Sequence, residues 1–184
     1  MKFIQTEIPE IIIIEPTVFR DKRGVFLESY NKKSFEKNIG KINFIQDNES
    51  KSMKGVVRGL HFQKPPFTQA KLVRCIEGTV LDVAVDIRQG SPSYGKHLAV
   101  ELTGENKKQL FVPRGFAHGF AVLSETAIFA YKVDNLYAPE FDAGILCNDP
   151  DLKIDWKLSK TEIKLSEKDS KLPSLSFLNN PFIY

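Results

Sequence analysis

The feature that most constrains the fold is a series of short apolar, β-branched runs, repeated at a spacing of roughly ten residues. Examples are the segments Ile11–Ile14, Lys71–Ile76, Thr79–Ile87 and Ala127–Val133. Turn-forming residues separate these runs, and helical periodicity is scarce along the chain. This pattern predicts an all-β protein built as a sandwich or barrel.

Length and composition limit the classes of protein that remain. The chain has 184 residues, which predicts one domain over residues 1–184 with a sizeable core. A net charge of +3 is too small to indicate a nucleic-acid partner, and it would not oppose a small anionic ligand. The longest aliphatic run, Ile11–Ile14, is too short for a membrane span or signal peptide. Two cysteines without paired spacing favour a cytoplasmic location.

One stretch in the middle of the chain concentrates residues suited to chemistry: Arg58-Gly-Leu-His-Phe-Gln-Lys-Pro-Pro-Phe-Thr-Gln-Ala-Lys71. Its Pro-rich loop separates two apparent strands, which places Arg58, His61 and Lys71 at strand ends. An arginine can bind a phosphate, a histidine can accept a proton near neutral pH, and a lysine can stabilise an oxyanion. Taken singly, each is more readily explained as a solvated or structural side chain, so the combination carries the functional indication.

The strands on either side of Glu77-Gly78 are predicted to form a hairpin. A two-residue turn there would give the register Ile76–Thr79, Val73–Asp82 and Lys71–Ala84. Alternation then gives the hairpin two different faces. The charged face carries Lys71, Asp82 and Asp86. The apolar face carries Leu72, Ile76, Val83 and Val85. Small apolar residues interrupt the charged face, which favours a half-polar cavity over open solvent.

A second hairpin is predicted at Ser124-Glu125. With a two-residue loop, His118 would lie opposite Tyr131, although Ser-Glu is not a favoured turn and a three-residue loop would break the pairing. Other local patterns predict a strand at Phe44–Asn48, a turn at Ser50–Lys54, and a short helix capped by Ser34 and running through Lys37. The apolar residues of the C-terminal tail are expected to pack on the domain: Leu175, Phe177, Leu178, Phe182 and Ile183.

Several motifs occur in order between Ile12 and Asp169. They are F-x-D-x-R-G-x-F-x-E from Phe19, F-x-Q-D-N from Phe44, R-G-L-H-F-Q from Arg58, Q-x-K-L-V-R from Gln69, D-V-A-V-D-I-R from Asp82, P-R-G-F-A-H-G-F from Pro113, Tyr131-Lys132, Tyr137-Ala-Pro-Glu140 and L-S-E-K-D from Leu165. Together they resemble the dTDP-4-dehydrorhamnose 3,5-epimerase family. The resemblance implies a jelly-roll (cupin-like) fold with a few short peripheral helices. It also implies a metal-independent enzyme without a cofactor, acting in dTDP-L-rhamnose biosynthesis.

The resemblance further implies roles for individual residues. His61 resembles the general base, Asp169 the carboxylate that orients it, and Tyr131 the acid on the opposite face. Lys71 and His118 resemble the groups around the keto oxygen of the sugar. The other matching positions resemble substrate-binding residues: Arg23 and Arg58 for the diphosphate, Phe26 for the nucleotide end, and Glu28, Gln46, Asn48, Asp142 and Lys168. Phe26 is expected to reach the site of the neighbouring subunit, which implies a homodimer whose N-terminal segments cross between subunits.

These residue types suit the implied reaction. A ketone at carbon 4 of the sugar acidifies the hydrogens on carbons 3 and 5, and inversion requires proton removal on one face and delivery on the other. One side chain cannot readily do both, so a base and an acid must lie on opposite sides of the ring. A tyrosine is protonated at neutral pH and can serve as the acid.

Two positions depart from the family pattern. Cys147 stands where the family usually has tryptophan, and Asp142 aligns with a substrate-binding glutamate. Three other functions remain as alternatives. A metal-dependent cupin is disfavoured because His61, His97 and His118 form no H-x-H pair. A non-catalytic sugar-nucleotide-binding jelly roll would not need an acid and a base, and an enzyme of the same family that inverts only carbon 3 or carbon 5 is compatible with the same residues.

Overall fold

In the computed structural model, which describes residues 1–184, the chain consists mainly of β-strands. The single α-helix, α1, spans Lys32–Asn38. Three short 3-10 helices span Pro139–Phe141, Asp169–Lys171 and Leu175–Phe177. The strands are β1 (Lys2–Gln5), β2 (Ile12–Glu15), β3 (Val18–Asp21), β4 (Gly24–Leu27), β5 (Gln46–Met53), β6 (Val57–Gln63), β7 (Lys71–Glu77), β8 (Thr79–Asp86), β9 (His97–Thr103), β10 (Gln109–Val112), β11 (Phe116–Val122), β12 (Thr126–Val133) and β13 (Asp142–Gly144).

Two sheets face each other and form a sandwich. The six-stranded sheet has the order β1-β2-β10-β7-β12-β5, and the five-stranded sheet has the order β13-β6-β11-β8-β9. The hairpin of β3 and β4 stands apart from both sheets. The predicted all-β jelly-roll sandwich with a few short peripheral helices is thus confirmed.

Both predicted hairpins are wrong because the chain changes sheets at each turn. β7 pairs with β10 and β12, whereas β8 pairs with β9 and β11 in the opposite sheet. At the first corner Gly78 has a φ of +80°, and a Cβ there would come within 2.2 Å of the Thr126 carbonyl oxygen. The second corner packs against the first, since the Thr79 amide donates to Ser124 Oγ at 2.8 Å.

The true registers replace the predicted cross-strand pairs. Lys71 does not face Ala84, and His118 does not face Tyr131. Instead His118 lies opposite Ala84 on one side and opposite His61 on the other. Tyr131 lies opposite Asn48 on β5. The alternation predicted within each strand survives this change, because Lys71 and Asp82 both project into the space between the sheets. Their next neighbours Leu72 and Val83 project outward.

Three hydrophobic clusters hold the layers together. The first fills part of the space between the sheets and includes Val73, Leu110 and Phe129. The second covers the outer face of the five-stranded sheet with the C-terminal region and includes Val83, Val85, Cys147, Leu152, Trp156 and Phe182. The third packs α1 against the outer face of the six-stranded sheet and includes Phe35, Leu72 and Phe111. The predicted common apolar face is therefore wrong, because Leu72 and Val83 lie on opposite outer sides of the sandwich.

Cys147 lies in the layer that covers the five-stranded sheet. Its side chain is buried, and its carbonyl oxygen accepts a hydrogen bond from Trp156 Nε1 at 2.7 Å. The departure at Cys147 therefore lies in the outer layer and not in the space between the sheets.

Three local boundaries also differ from the sequence prediction. β5 continues through the segment Ser50–Met53 that was predicted as a turn, because its polar inner face lines a cavity and its outer face is exposed. The N-cap of α1 is Asn31, whose side chain accepts from the Ser34 amide, so Ser34 is not the cap. In the tail, Leu175 and Phe182 are buried as expected, but Phe177 and Ile183 are exposed.

Candidate active site

An elongated cleft lies between the two sheets. One part has a volume of about 460 Å³ and an adjoining part about 410 Å³. Four side chains line both parts, which makes them one continuous cleft: His61, Lys71, Tyr131 and Lys168. The first part is also lined by Arg58, His118 and Asp169, and the second by Gln46, Asn48 and Asp142.

His61 and Asp169 form a hydrogen-bonded pair, although 108 positions separate them in the sequence. His61 Nε2 lies 2.7 Å from Asp169 Oδ1, and Asp169 is buried while the imidazole is partly open to the cleft. Burial alone would raise the pKa of Asp169, but hydrogen bonds from His61, the Gly59 amide and Ser166, with the nearby imidazole charge, hold that pKa below its usual value. The carboxylate therefore stays ionised and orients His61.

His118 forms a second imidazole–carboxylate pair, with Asp82. Its Nε2 lies 2.9 and 3.0 Å from the two carboxylate oxygens, and both residues are buried. His118 and His61 are direct cross-strand neighbours on β11 and β6. The five-stranded sheet thus presents two carboxylate-anchored imidazoles to the same cleft.

The six-stranded sheet supplies Lys71 and Tyr131 from the opposite wall. Burial lowers the pKa of Lys71 to about 8, against the opposing influence of Asp142 and Asp82. Burial raises the pKa of the Tyr131 phenol; Arg58 opposes this effect and Asp142 adds to it. The phenol therefore stays protonated at neutral pH. The lysine is still mostly charged at neutral pH, but it loses its proton at a lower pH than an exposed lysine would.

Polar side chains at the two ends of the cleft are held in place by neighbours. Arg58 Nε donates to Ser52 Oγ at 3.1 Å. At the other end, the Tyr137 hydroxyl donates to Asp142 Oδ2 at 3.1 Å, and Lys168 forms an ion pair with the same carboxylate. The hydrogen bond to Asp142 raises the pKa of Lys168, so the ammonium stays charged.

Gln46 and Asn48 lie next to each other on the inner face of β5. Gln46 Nε2 donates to Asn48 Oδ1 at 2.8 Å, and Gln46 Oε1 accepts from the Tyr137 amide at 3.3 Å. Both side chains line the part of the cleft that contains Asp142.

Three residues with an expected binding role lie outside the cleft of their own chain: Arg23, Phe26 and Glu28. They belong to the β3–β4 hairpin or follow it directly, and none lines either part of the cleft. The Arg23 side chain is 85% exposed and pairs with Asp21 of the same hairpin. Phe26 is 70% exposed. Within one subunit the structure therefore does not bring these residues to the site.

Sequence reasoning missed two residues that position others. Asp82 was placed on the cavity-facing side of its strand, but its partner His118 was assigned to the wrong neighbour by the incorrect hairpin. Ser52, which holds Arg58, fell in a segment predicted as a turn. The alternation of polar residues along β5 was the available signal for Ser52, since it placed Gln46 and Asn48 on one face.

Two general features bear on the class of protein. The structure contains no group of three or more His, Cys, Asp and Glu side chains arranged to hold a metal ion. No helix in it has both the length and the apolar character needed to cross a membrane.

The fold and the cleft define a class of jelly-roll enzyme in which carboxylate-anchored imidazoles face a lysine and a tyrosine. The family model for dTDP-4-dehydrorhamnose 3,5-epimerase matches residues 5–176. The chain is 54% identical to the dTDP-4-dehydrorhamnose 3,5-epimerase of Shigella flexneri over 170 residues, which cover 92% of this chain and 93% of the relative. The chain therefore belongs to the dTDP-4-dehydrorhamnose 3,5-epimerase family, a family of isomerases.

Solved structures agree with this assignment. The dTDP-4-dehydrorhamnose 3,5-epimerase of Elizabethkingia anophelis superposes with a TM-score of 0.93 at 54% identity, covering 98% of both chains. The dTDP-6-deoxy-D-glucose-3,5-epimerase of Legionella pneumophila, in complex with dTDP-4-keto-L-rhamnose, has a TM-score of 0.93 at 49% identity and covers 97% of this chain and 94% of that one.

Proposed function

We propose that this protein epimerises carbons 3 and 5 of dTDP-4-dehydro-6-deoxy-D-glucose, giving dTDP-4-dehydro-L-rhamnose in the biosynthesis of dTDP-L-rhamnose. The observation that carries the proposal is the placement of His61 and Tyr131 on opposite walls of one cleft. His61 belongs to β6 of the five-stranded sheet, and Tyr131 to β12 of the six-stranded sheet. A sugar ring between the sheets would present one face to each side chain, as inversion requires.

His61 acts as the base. Asp169 accepts a hydrogen bond from Nε2, which leaves Nδ1 as the nitrogen that takes a proton. The proton on carbon 3 or carbon 5 moves to Nδ1, and the electron pair of the broken bond moves to the oxygen at carbon 4. The product of this step is an enolate bound between the sheets.

Lys71 and His118 lie where they can stabilise the enolate oxygen. They come from opposite sheets and line the same part of the cleft as His61. Asp82 anchors His118, and burial keeps the Lys71 ammonium poorly hydrated, so that its charge acts strongly on a nearby oxyanion.

Tyr131 completes each inversion. Its phenol donates a proton to the carbon from the face opposite His61, and solvent then restores the proton of the phenolate and removes that of His61. Every atom and electron is accounted for by proton transfer alone, so the reaction needs no redox cofactor.

The two ends of the cleft supply different groups for binding the substrate. Arg58, positioned by Ser52, offers a guanidinium to a phosphate group. At the other end, Lys168 supplies an ammonium group and Asp142 a carboxylate. Gln46 and Asn48 supply side-chain amides there. The cleft therefore combines phosphate-binding and sugar-binding chemistry, as a sugar nucleotide requires.

A homodimer would complete this site. The β3–β4 hairpin exposes Phe19, Val25 and Phe26 together, which is unfavourable for an isolated subunit. Arg23, Phe26 and Glu28 would lie at the neighbour's cleft if the hairpin crosses the subunit interface. Their exposure within one chain supports this arrangement.

The remaining parts of the proposal are one domain over residues 1–184, a cytoplasmic location and independence from metal ions. The N-terminal strand β1 belongs to one sheet of the sandwich, and the C-terminal region packs on the outer face of the other. Both cysteines are free and buried, as suits a reducing compartment. Treatment with a chelator should leave the turnover rate unchanged. Activity that is lost to the chelator and regained with one divalent ion would contradict metal independence.

The proposed reaction is tested by converting dTDP-4-keto-6-deoxyglucose in deuterium oxide and examining the product by NMR. The expected product carries deuterium at carbons 3 and 5 and has both centres inverted. Deuterium and inversion at only one carbon would identify a single-carbon epimerase, and binding without exchange would identify a non-catalytic sugar-nucleotide binder.

A further inference from the structure

The inner face of β5 carries a continuous row of polar side chains. Gln46, Asn48, Ser50 and Ser52 occupy alternate positions and therefore point to the same side of the strand. Three of them have partners: Gln46 and Asn48 bond each other, and Ser52 accepts a hydrogen bond from Arg58. Ser50 is the exception.

Ser50 Oγ is buried and has no hydrogen-bond partner among the protein's own atoms. No other buried side-chain nitrogen or oxygen in residues 1–184 lacks one. Its cross-strand neighbour is Phe129, whose ring stacks on Phe120 at 4.1 Å between centroids. A hydroxyl without a partner beside aromatic rings is unfavourable for folding. Alanine would remove this cost, so the hydroxyl has no evident structural purpose.

The position of Ser50 along the cleft limits what it can contact. Ser50 lines the same part of the cleft as His118, Lys71 and Tyr131. On β5, Ser50 lies two residues after Asn48, whose cross-strand neighbour is Tyr131. It lies two residues before Ser52, which accepts the hydrogen bond from Arg58. Each alternate position advances about 7 Å along a strand. A group bound by Ser50 therefore lies between the proton-donating phenol and the phosphate-binding guanidinium.

We propose that Ser50 is a substrate-specificity residue whose hydroxyl bonds a ring hydroxyl group of the sugar. This inference rests on the proposed function and deepens it. A serine hydroxyl both donates and accepts, as does a sugar hydroxyl. The keto oxygen already has Lys71 and His118, and the methyl group at carbon 5 cannot form a hydrogen bond. The hydroxyls on carbons 2 and 3 are the remaining candidates on the ring.

The test compares the wild type with Ser50→Ala and with the nearly isosteric Ser50→Cys. For dTDP-4-keto-6-deoxyglucose, kcat/KM measured by deuterium exchange at carbon 5 should fall roughly tenfold in both variants. Inhibition by dTDP alone, which lacks the sugar, should be unchanged. The melting temperature of Ser50→Ala should be equal to or higher than that of the wild type, because the variant loses an unpartnered buried hydroxyl.

Substrate analogues lacking the hydroxyl on carbon 2 or on carbon 3 identify the contact. With the analogue that lacks the contacted hydroxyl, Ser50→Ala and the wild type should have nearly equal kcat/KM, as in a double-mutant cycle. With the other analogue the tenfold difference should persist. A difference that persists with both analogues would overturn the proposed contact.

Ser91→Ala is the matched control. Ser91 is also a buried serine, but it lies outside the cleft and its hydroxyl donates to Asp86 at 2.6 Å. This variant should lose stability and keep its kinetic constants, the opposite pattern from Ser50→Ala. Equal activity of Ser50→Ala and wild type on the full substrate, or a lower melting temperature with weaker dTDP inhibition, would overturn the inference. An inactive wild type in the same assay would instead overturn the proposed function.

Discussion

Lys71 shows, at the scale of one residue, how a proposed catalytic position opposes the stability of the fold. Its pKa is lowered from 10.5 to about 8 by burial. The pKa of Lys71 is lower in the folded state than in the unfolded state. Below about pH 8 the ammonium is charged in both states, and the full free-energy cost of burying it opposes folding. That cost disappears as the pH rises from about 8 to 10.5, where both states have lost the proton.

Replacing Lys71 with methionine should therefore separate activity from stability. At pH 7, Lys71→Met should raise the free energy of unfolding, with an upper bound of roughly 3 kcal/mol from the pKa difference. It should lower kcat by about 10²–10³ because the enolate loses its ammonium. Urea denaturation at pH 7 and pH 9.5 measures the first effect, and the gain should be smaller at pH 9.5.

The exposed Lys51 provides the control, since Lys51→Met should change stability by no more than about 0.5 kcal/mol. In the wild type, kcat should fall as the pH rises above about 8, because the neutral amine cannot stabilise an oxyanion. A Lys71→Met variant that is less stable than the wild type at pH 7 would contradict this explanation.

The same scale shows which parts of the site the sequence could predict. His61 and Asp169 are far apart in the sequence, and only the family motifs connected them. Residue types and alternation placed Lys71 and Asp82 toward the interior, and the structure agrees. The contact of Asp82 with His118 could not be predicted, because it depends on which strands pair, and alternation specifies a face without specifying a partner.

At the scale of the elements, the corners between the sheets decide the topology. The turns at Gly78 and at Ser124-Glu125 look like hairpin turns in the sequence, since each lies between two β-branched runs. In the structure β8 instead pairs along seven consecutive positions with β11, from Val80 to Asp86. Strand patterns alone do not contain the information that distinguishes a hairpin from a crossover, and for this reason both registers were predicted wrongly.

Two glycines with similar backbone angles test the role of the first corner. Gly78 has a φ of +80° and no room for a Cβ, which would meet the Thr126 carbonyl oxygen at 2.2 Å. Gly90 has a φ of +85° but open space around it. Gly90→Ala should lower the free energy of unfolding by roughly 1–2 kcal/mol, which is the backbone strain alone. Gly78→Ala should lower it distinctly more, because the added Cβ would force the two corners apart. Chemical denaturation of both variants measures the difference, and equal losses would contradict the close packing of the corners.

At the scale of the whole molecule, the separation of Arg23 and Phe26 from the cleft of their own chain is the main indication of a dimer with shared sites. In the structure these residues lie on the β3–β4 hairpin, which stands apart from both sheets. Their expected contact lies on another subunit, so the fold of one chain cannot contain it.

Complementation between two inactive variants tests the shared sites. One variant carries Arg23→Ala with Phe26→Ala, and the other carries His61→Asn. In a mixed dimer with crossed hairpins, one site has an intact His61 and an intact hairpin, so random pairing should restore about a quarter of the wild-type sites. Co-expression followed by an activity assay measures this. If each hairpin serves its own subunit, no site is complete and no activity should return.

The central claim is that His61 and Tyr131 transfer protons on opposite faces of the sugar, and it is tested most directly by measuring deuterium uptake and inversion in the same tube. His61→Asn should lower both by at least ~10², because proton abstraction itself fails. In Tyr131→Phe, His61 can still remove a proton and return a solvent-derived one to the same face. Deuterium uptake at carbon 5 should therefore survive better than inversion. Equal loss of both in a folded Tyr131→Phe variant would contradict the assignment of Tyr131 as the opposing acid.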